Sequence, residues 1–394
     1  MELTYQEKKT QDAILQEAKQ HKPREFDRQK STLIRGENFS VLSSLLASGF
    51  SGKVDLVYID PPFNTHQTFT VENARVSTIS RSKGAAIAYS DHMPPAAYIE
   101  FIRERIIVLH ALLSDCGSIY LHIDGKMGHY IKVIMDEIFC VANFKNDISR
   151  IKSNPKNFMR KAYGNQKDTI LFYAKNGDRN IFNNITITLD EAEKARMFPK
   201  MDAGGRRYNT VPVHAPGVTR NGKTGETWRG MSPPSGRHWR TEPAELDALD
   251  ARNLIEWSKN GVPRMKNFAD KHKGKKIQDI WNHIDPAYPL YPTEKNLKML
   301  EMIIEQSSNP DSIVLDCFAG SGATLLAAQN LGRQWMGIDR SELSMKVIRE
   351  RLSGIEYNFF EYGFYETRCK TEKVQQRLHN VSADQYVMPL NMSM

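Results

Sequence analysis

Short, almost wholly apolar runs alternate along this chain with longer stretches in which apolar residues recur every three or four positions. Val54-Asp55-Leu56-Val57-Tyr58-Ile59, Gly117-Ser118-Ile119-Tyr120-Leu121-His122-Ile123, Thr169-Ile170-Leu171-Phe172-Tyr173-Ala174, Ser312-Ile313-Val314-Leu315 and Trp335-Met336-Gly337-Ile338-Asp339 are of the first kind. A near-continuous apolar run predicts a strand buried on both faces, the habit of parallel sheets. A shorter strand is predicted within residues 31–38. Helical spacing predicts helices over Phe39–Leu46, Tyr98–Leu113, His129–Phe139, Lys295–Glu305, Ala323–Gln329 and Ser341–Leu352, with Gly49 and Gly52 as stop signals for the first. Strand followed by helix, repeated, predicts an α/β fold with a doubly wound, Rossmann-like sheet. Residues 1–30 read as a polar helix or arm, 64–95 as an irregular mobile loop, and the polar tail from 368 as poorly ordered.

The alternation breaks between about 181 and 285, where Gly, Pro, Arg and isolated Trp dominate, as in Thr227–Arg240. That stretch reads as a separate, mostly irregular or β module. The expected organisation is therefore 1–180, an inserted module 181–285, 286–367, and a tail 368–394.

Charge sharpens this division. The chain carries a formal net charge of +8, and Lys200–Lys276 alone holds 16 Lys and Arg against 8 Asp and Glu. Basic charge gathered in one module is the footprint of a polyanionic partner such as nucleic acid. Arg229, Arg237, Arg240 and Lys266 are candidate contacts to base edges or to phosphates. Cys116, Cys140, Cys317 and Cys369 are scattered without a Cys-x-x-Cys pair, which argues against a zinc site or a disulfide framework, and no metal is expected. No apolar run approaches the ~18 residues that span a bilayer. The polar amino terminus lacks the apolar segment of a secretory signal, so no membrane contact and a cytoplasmic location are expected.

Two strand ends carry candidate chemistry. Asp60-Pro61-Pro62-Phe63 follows the Val54–Ile59 run directly, at the end of a strand where open α/β sheets place their ligands. An exocyclic amino group on adenine or cytosine is a poor nucleophile because its lone pair is conjugated into the ring. Two acceptors aimed at its N–H bonds, the Asp60 carboxylate and the Pro61 carbonyl, can pyramidalise it, and proline restricts the backbone that aims them. The carboxylate also stabilises the positive charge that grows on nitrogen during attack. Phe63 offers a flat face for an extruded base. The second strand end is Asp316-Cys317-Phe318-Ala319-Gly320-Ser321-Gly322, whose glycines permit a tight turn into a helix. Asp339, ending the next strand, stands at the spacing at which an acidic side chain accepts bonds from ribose hydroxyls. Tyr291–Asn296 precedes a helix, where Thr293 and Lys295 could hold a carboxylate. Gly217–Thr224 fits the letters of a phosphate-binding P-loop, but the prolines and glycines around it exclude the required strand and helix.

Taken together, Leu33–Asn38, Val57–Thr65, Tyr291–Lys295, Leu315–Gly322 and Gly337–Asp339 make the chain resemble the S-adenosylmethionine-dependent amino DNA methyltransferases. With Asp-Pro-Pro-Phe ahead of the glycine turn, the circularly permuted motif order resembles that of their beta group. The resemblance covers about residues 31–355 and is nearest the adenine-specific type II and type III modification methylases. It implies Asp60, Pro61, Pro62 and Phe63 as the catalytic motif and S-adenosylmethionine as cofactor. Asp316, Phe318, Ala319, Gly320, Ser321, Gly322 and Asp339 are its implied contacts, with Glu37 and Asn38 near its adenine. The middle module becomes a target-recognition region, and double-stranded DNA the partner. A homodimer, a restriction subunit and a separate endonuclease remain open partners. Phe63 replaces the family's usual tyrosine, and Asn296, beside the implied cofactor contacts Thr293 and Lys295, its common proline. Cytosine-N4 methylation is the nearest alternative, although those enzymes usually carry serine where Asp60 stands. A non-catalytic DNA-binding subunit is the other.

Overall fold

Nine strands form the central sheet of the computed structural model, which describes residues 2–63, 93–155, 159 and 161–362, with the backbone alone for strands Thr68–Glu72, Arg75–Ser77 and Ala86–Ser90. In chain order the sheet strands are β1 (Thr32–Gly36), β2 (Val54–Ile59), β3 (Leu113–Ile123), β4 (Phe144–Ile151), β5 (Lys167–Ala174), β6 (Ile280–Asn282), β7 (Ile313–Asp316), β8 (Gln334–Asp339) and β9 (Asn358–Tyr362). Their spatial order is β6-β4-β5-β3-β2-β7-β8-β1-β9, and all pairings are parallel except the two made by β5.

Among the described residues, seven α-helices accompany the sheet: α1 (Gln11–Lys19), α2 (Asn38–Leu45), α3 (Pro95–Leu112), α4 (Gly128–Phe139), α5 (Leu297–Ser307), α6 (Ala323–Asn330) and α7 (Glu342–Arg351). From β2 the chain passes through α3 to β3 on one side, while from β7 it passes through α6 to β8 on the other. Right-handed crossovers in opposite directions place α3 and α6 on opposite faces. The sheet is doubly wound, and the reversal falls between β2 and β7.

The apolar runs behave as their patterning requires. Val54, Leu56, Val57 and Ile59 of β2 and Val314 and Leu315 of β7 have no exposed surface, and Leu56 pairs with Val314 and Val57 with Leu315. Asn296, at the position where a proline was expected, caps α5 by accepting the Met299 N–H at 3.1 Å.

Some expectations change. Residues 64–95, read as a loop, contain a three-stranded antiparallel sheet, whereas Asn64 and Thr65 lie outside the described residues. The tail 368–394, with Cys369, also lies outside them. β4, β6 and β9 escaped prediction because their polar residues disguise them, and β6 has only three residues.

The chain divides into two compact units, Met1–Asn183 with Gln278–Met394, and Asn184–Ile277. The second contains a four-stranded antiparallel sheet of Lys200–Met201, Arg207–Pro212, Pro263–Phe268 and Ile255–Trp257, and helices Glu191–Met197 and Pro243–Ala251 that sequence patterning did not reveal. Val213, Trp228, Trp239, Leu246 and Ile255 form its core. No helix among the described residues is long and apolar enough to cross a membrane.

Gly322 joins β7 to α6 at φ 73°, a conformation L side chains rarely adopt, and a Cβ there would stand 2.8 Å from Cγ1 of the buried Ile348 on α7. Gly322→Ala is therefore expected to lower stability by about 1–3 kcal/mol. An unchanged urea midpoint with an unchanged slope would show that α7 yields freely at this contact.

Candidate active site

Because β2 and β7 are parallel neighbours, their carboxyl ends open into one cleft of about 210 Å³. Asp60, Pro61, Pro62 and Phe63 line it from the end of β2. Asp316, Phe318, Ala319, Gly320 and Ser321 line it from the end of β7, Asp339 from β8, Glu37 and Asn38 from the start of α2, and Thr293 and Lys295 from the segment before α5. Of the residues singled out as catalytic or cofactor-facing, Gly322 alone does not line the cleft. Its hydrogen at Cα serves the approach of α7 to α6 instead.

At the β2 end, Asp60 Oδ2 lies 2.8 Å from Lys295 Nζ. Asp60 Oδ1 is buried and has no hydrogen-bond partner, an arrangement that costs free energy unless a donor arrives. The Tyr98 hydroxyl donates to the Pro62 carbonyl at 2.7 Å and so fixes the proline turn from the first coil of α3. Behind Phe63, at 6.0 Å between ring centroids, lies the buried His122. Tyr58 O–H donates to His122 Nδ1 at 2.9 Å, and Nε2 faces Asp168 at 3.3 Å. Burial holds His122 below the ordinary imidazole range, so the ring is neutral. Burial opposes ionisation of Asp168, but the bonds from His122 and from Lys152 at 2.6 Å overcome it and hold the carboxyl well down.

At the β7 end the turn is built from backbone donors. The Phe318 N–H donates to Asp316 Oδ1 at 2.9 Å, the Gly320 N–H to Asp339 Oδ2 at 2.9 Å, and the Ser341 N–H to Asp339 Oδ1 at 2.8 Å. Burial, with the charges of Asp60 and Asp339 added, pushes the Asp316 carboxyl up to about 7 against the bonds from Thr324 and Phe318. Burial raises Asp339 as well. Glu37 goes the other way. Burial favours its neutral form, yet the Arg105 guanidinium and the backbone N–H groups of Ser40 and Phe39 prevail, because the carboxylate caps α2 and pairs with Arg105. Asn38 donates to the Cys317 carbonyl at 3.0 Å and accepts from Arg105 Nε at 2.7 Å, which ties α2 to the turn. Several carboxylates thus face one cleft, and the arrangement favours a cationic ligand.

Sequence reasoning missed Tyr98, Tyr291 and Arg105. Tyr98 was visible only as the start of an amphipathic helix, and Tyr291, nearly buried, lies beside Gly320. Nothing in their local patterns gives their direction in space.

In the second unit the four candidate basic contacts differ. The Arg229 guanidinium donates to Asp247 at 2.8 Å and Asp250 at 2.6 Å and stands over Trp228 and Trp257, so it is engaged in holding the unit together. Arg240 donates to the Pro212 carbonyl, Lys266 to Asn253, and the exposed Arg237 faces His214. Gly217–Thr224 runs into a short 3-10 turn, Lys223–Gly225, and Lys223 pairs with Glu242, which is no phosphate cradle. Among the described residues no cluster of His, Cys, Asp or Glu is arranged to hold a metal ion.

A family model described as DNA methylase, for N6/N4 methyltransferases, matches residues 54–350. The type II methyltransferase M.EcaI of Enterobacter cloacae is 39% identical over 329 residues, which cover 82% of this chain and 69% of that protein. The DNA adenine methyltransferase YhdJ of Escherichia coli K12 is 24% identical over 333 residues, covering 84% of this chain and 85% of YhdJ. The StyLTI Mod subunit of a type III restriction-modification enzyme from Salmonella typhimurium LT2 is 24% identical over 334 residues, and the match spans 76% of this chain but half of that protein.

The raised Asp316 carboxyl sets a pH dependence. Its proton is kept in the folded state up to about 7 but lost from an ordinary carboxyl near 3.8, so its contribution to stability becomes steadily less favourable between those values and constant above. Asp316→Asn should remove that decline, on the order of 4 kcal/mol. Parallel stability profiles for the two proteins between pH 4 and 7 would contradict the assignment.

Proposed function

The chain belongs to the DNA methylase family, and from that premise we propose that it transfers a methyl group from S-adenosylmethionine to the N6 amino group of an adenine flipped out of duplex DNA. The observation that carries the reading is the buried, unpartnered Oδ1 of Asp60, which lines with Phe63 the same cleft as the glycine turn.

S-adenosylmethionine supplies an electrophilic methyl group on a cationic sulfonium. The cleft suits it, since Asp316 and Asp339 are buried carboxyls whose ionised forms lack a full cationic partner, and a positive ligand relieves that cost. Phe318, Ala319, Gly320 and Asp339 would hold its nucleoside, with Glu37 and Asn38 at the adenine and Thr293 and Lys295 at the amino-acid carboxylate. Asp60 Oδ1 and the Pro61 carbonyl accept the two N–H bonds of the target amino group, drawing its lone pair out of ring conjugation. Asp60 then stabilises the positive charge on that nitrogen and accepts its proton. Stacking on Phe63, about 1–3 kcal/mol, offsets part of the few kcal/mol that flipping costs.

Adenine is favoured over cytosine by Asp60 and by the resemblance to YhdJ. The unit Asn184–Ile277 would read the target, with Arg237, Arg240 and Lys266 contacting DNA and Arg229 serving the unit's own packing. A restriction endonuclease, as a subunit or separate, is the counterpart suggested by the modification relatives. A homodimer is compatible with this reading, and a DNA substrate in the cell implies a cytoplasmic location.

With labelled S-adenosylmethionine and duplex DNA, digestion to nucleosides should yield label in N6-methyladenine. Label in methylcytosine alone would overturn the base assignment. Asp60→Ala should retain DNA binding and lose transfer by about 100-fold or more. Full binding with no transfer by the wild-type chain would mark it as a non-catalytic subunit. DNA affinity should also fall steeply with rising salt, by roughly tenfold or more between 50 and 200 mM. A flat response would mean that the basic excess of the second unit does not meet phosphates.

A further inference from the structure

Several cations of the unit Asn184–Ile277 are neutralised by its own carboxylates. Arg206 pairs with Asp270, Lys223 with Glu242, Arg252 with Glu245, and Arg229 with Asp247 and Asp250. Three guanidiniums gathered about one imidazole are different. Arg237, Arg240 and Arg264 surround His214, and among the described residues each is held by uncharged acceptors alone.

Those acceptors stand on alternate residues of the segment 210–214. Arg264 donates through Nε to Thr210 Oγ1 at 2.9 Å and through Nη2 to the Thr210 carbonyl at 2.8 Å. Arg240 donates through Nε to the Pro212 carbonyl at 2.9 Å. Arg237 Nη1 lies 3.3 Å from His214 Nδ1, which is the acceptor because a guanidinium has none to offer. Burial, and then the charges of the three arginines, hold His214 below the ordinary imidazole range, so its ring is neutral and able to accept.

The donors left free differ. Arg264 has its Nε–Nη2 edge occupied by Thr210, and Arg240 has lost Nε. The exposed Arg237 keeps that edge whole, two parallel N–H bonds in a plane that His214 helps to fix. Position separates them further. Arg237 lies on a two-stranded antiparallel ribbon, His214–Pro216 with Arg237–Trp239. The buried Trp239 fastens one end of the ribbon to the unit's core, and the Gly217 N–H closes the other end on the Gly236 carbonyl at 2.9 Å. A two-stranded ribbon fits the major groove, where guanine alone offers a pair of acceptors, O6 and N7, to such an edge. Arg240 follows the ribbon and Arg264 lies on the four-stranded sheet, places that suit phosphates beside the groove.

We propose that Arg237 reads a guanine of the target sequence through O6 and N7, while Arg240 and Arg264 hold the flanking phosphates. The methylated sequence therefore contains an essential G·C pair. This deepens, and rests on, the reading of this unit as the part that contacts DNA.

The experiment uses the full chain. Its preferred sequence is found both by modified-base sequencing of methylated DNA and by selecting bound duplexes from a random pool. Fluorescence anisotropy then gives the affinity for that duplex and for copies in which each guanine in turn is 7-deazaguanine, which pairs normally but lacks the N7 acceptor. One copy should bind the wild type about fivefold or more weakly. Arg237→Ala should bind the unmodified duplex about tenfold or more weakly and be indifferent to that copy, since the same contact is already gone. Arg240→Gln and Arg264→Gln should weaken all sequences alike and lower the salt slope by about one each, and Arg264→Lys should restore the slope. The scan of the wild type keeps the test independent of how any variant folds. A preferred sequence without a G·C pair overturns the assignment, as does a wild type indifferent to every 7-deazaguanine or unable to bind any duplex. So does an Arg237→Ala protein that weakens all sequences alike, which would make Arg237 a phosphate contact. Guanine preference that depends on Arg237, with no methyl transfer, supports this inference and fails the proposed catalysis alone.

Discussion

The parallel pairing of β2 with β7 is the constraint on which the rest of the structure depends. Leu56 against Val314 and Val57 against Leu315 set a register that ends both strands at the same edge. Because the chain leaves these strands in opposite directions, the crossovers diverge and leave a crevice above the sheet. Asp60 and Asp316 enter that crevice from segments far apart in sequence. A slip of one residue would exchange the two packed faces of a strand and offset the proline turn from the glycine turn.

Within the crevice, charge is balanced locally and incompletely. Lys295 answers Asp60 and Arg105 answers Glu37, while Asp316 remains near-neutral because burial and neighbouring carboxylates oppose its ionisation. The rigid supports have another character. Tyr98 on the Pro62 carbonyl, Asn296 at the start of α5 and the neutral His122 behind Phe63 satisfy polar groups and leave Oδ1 of Asp60 unpartnered.

Aromatic and basic residues of the second unit show how residue type can mislead. Arg229 has the composition and setting of a nucleic-acid contact, yet it joins Asp247, Asp250 and two tryptophans. Gly322 reads as part of a cofactor turn, yet its missing Cβ makes room for Ile348. In each case the local pattern is compatible with two uses, and a distant side chain selects one.

The sequence by itself determined the buried strands, the helices with strong apolar stripes, and the two motif-bearing turns, because burial periodicity and proline or glycine geometry act over a few residues. It also carried the catalytic candidates, since a carboxylate followed by two prolines has limited local freedom. Only tertiary structure decided that Lys295 would sit on Asp60, that Tyr98 would hold the proline turn, and that polar strands such as β4 and β9 would form. Those outcomes depend on partners brought together by the sheet, and neither a strand's hydrogen bonds nor a buried ion pair is encoded in the residues on one side alone.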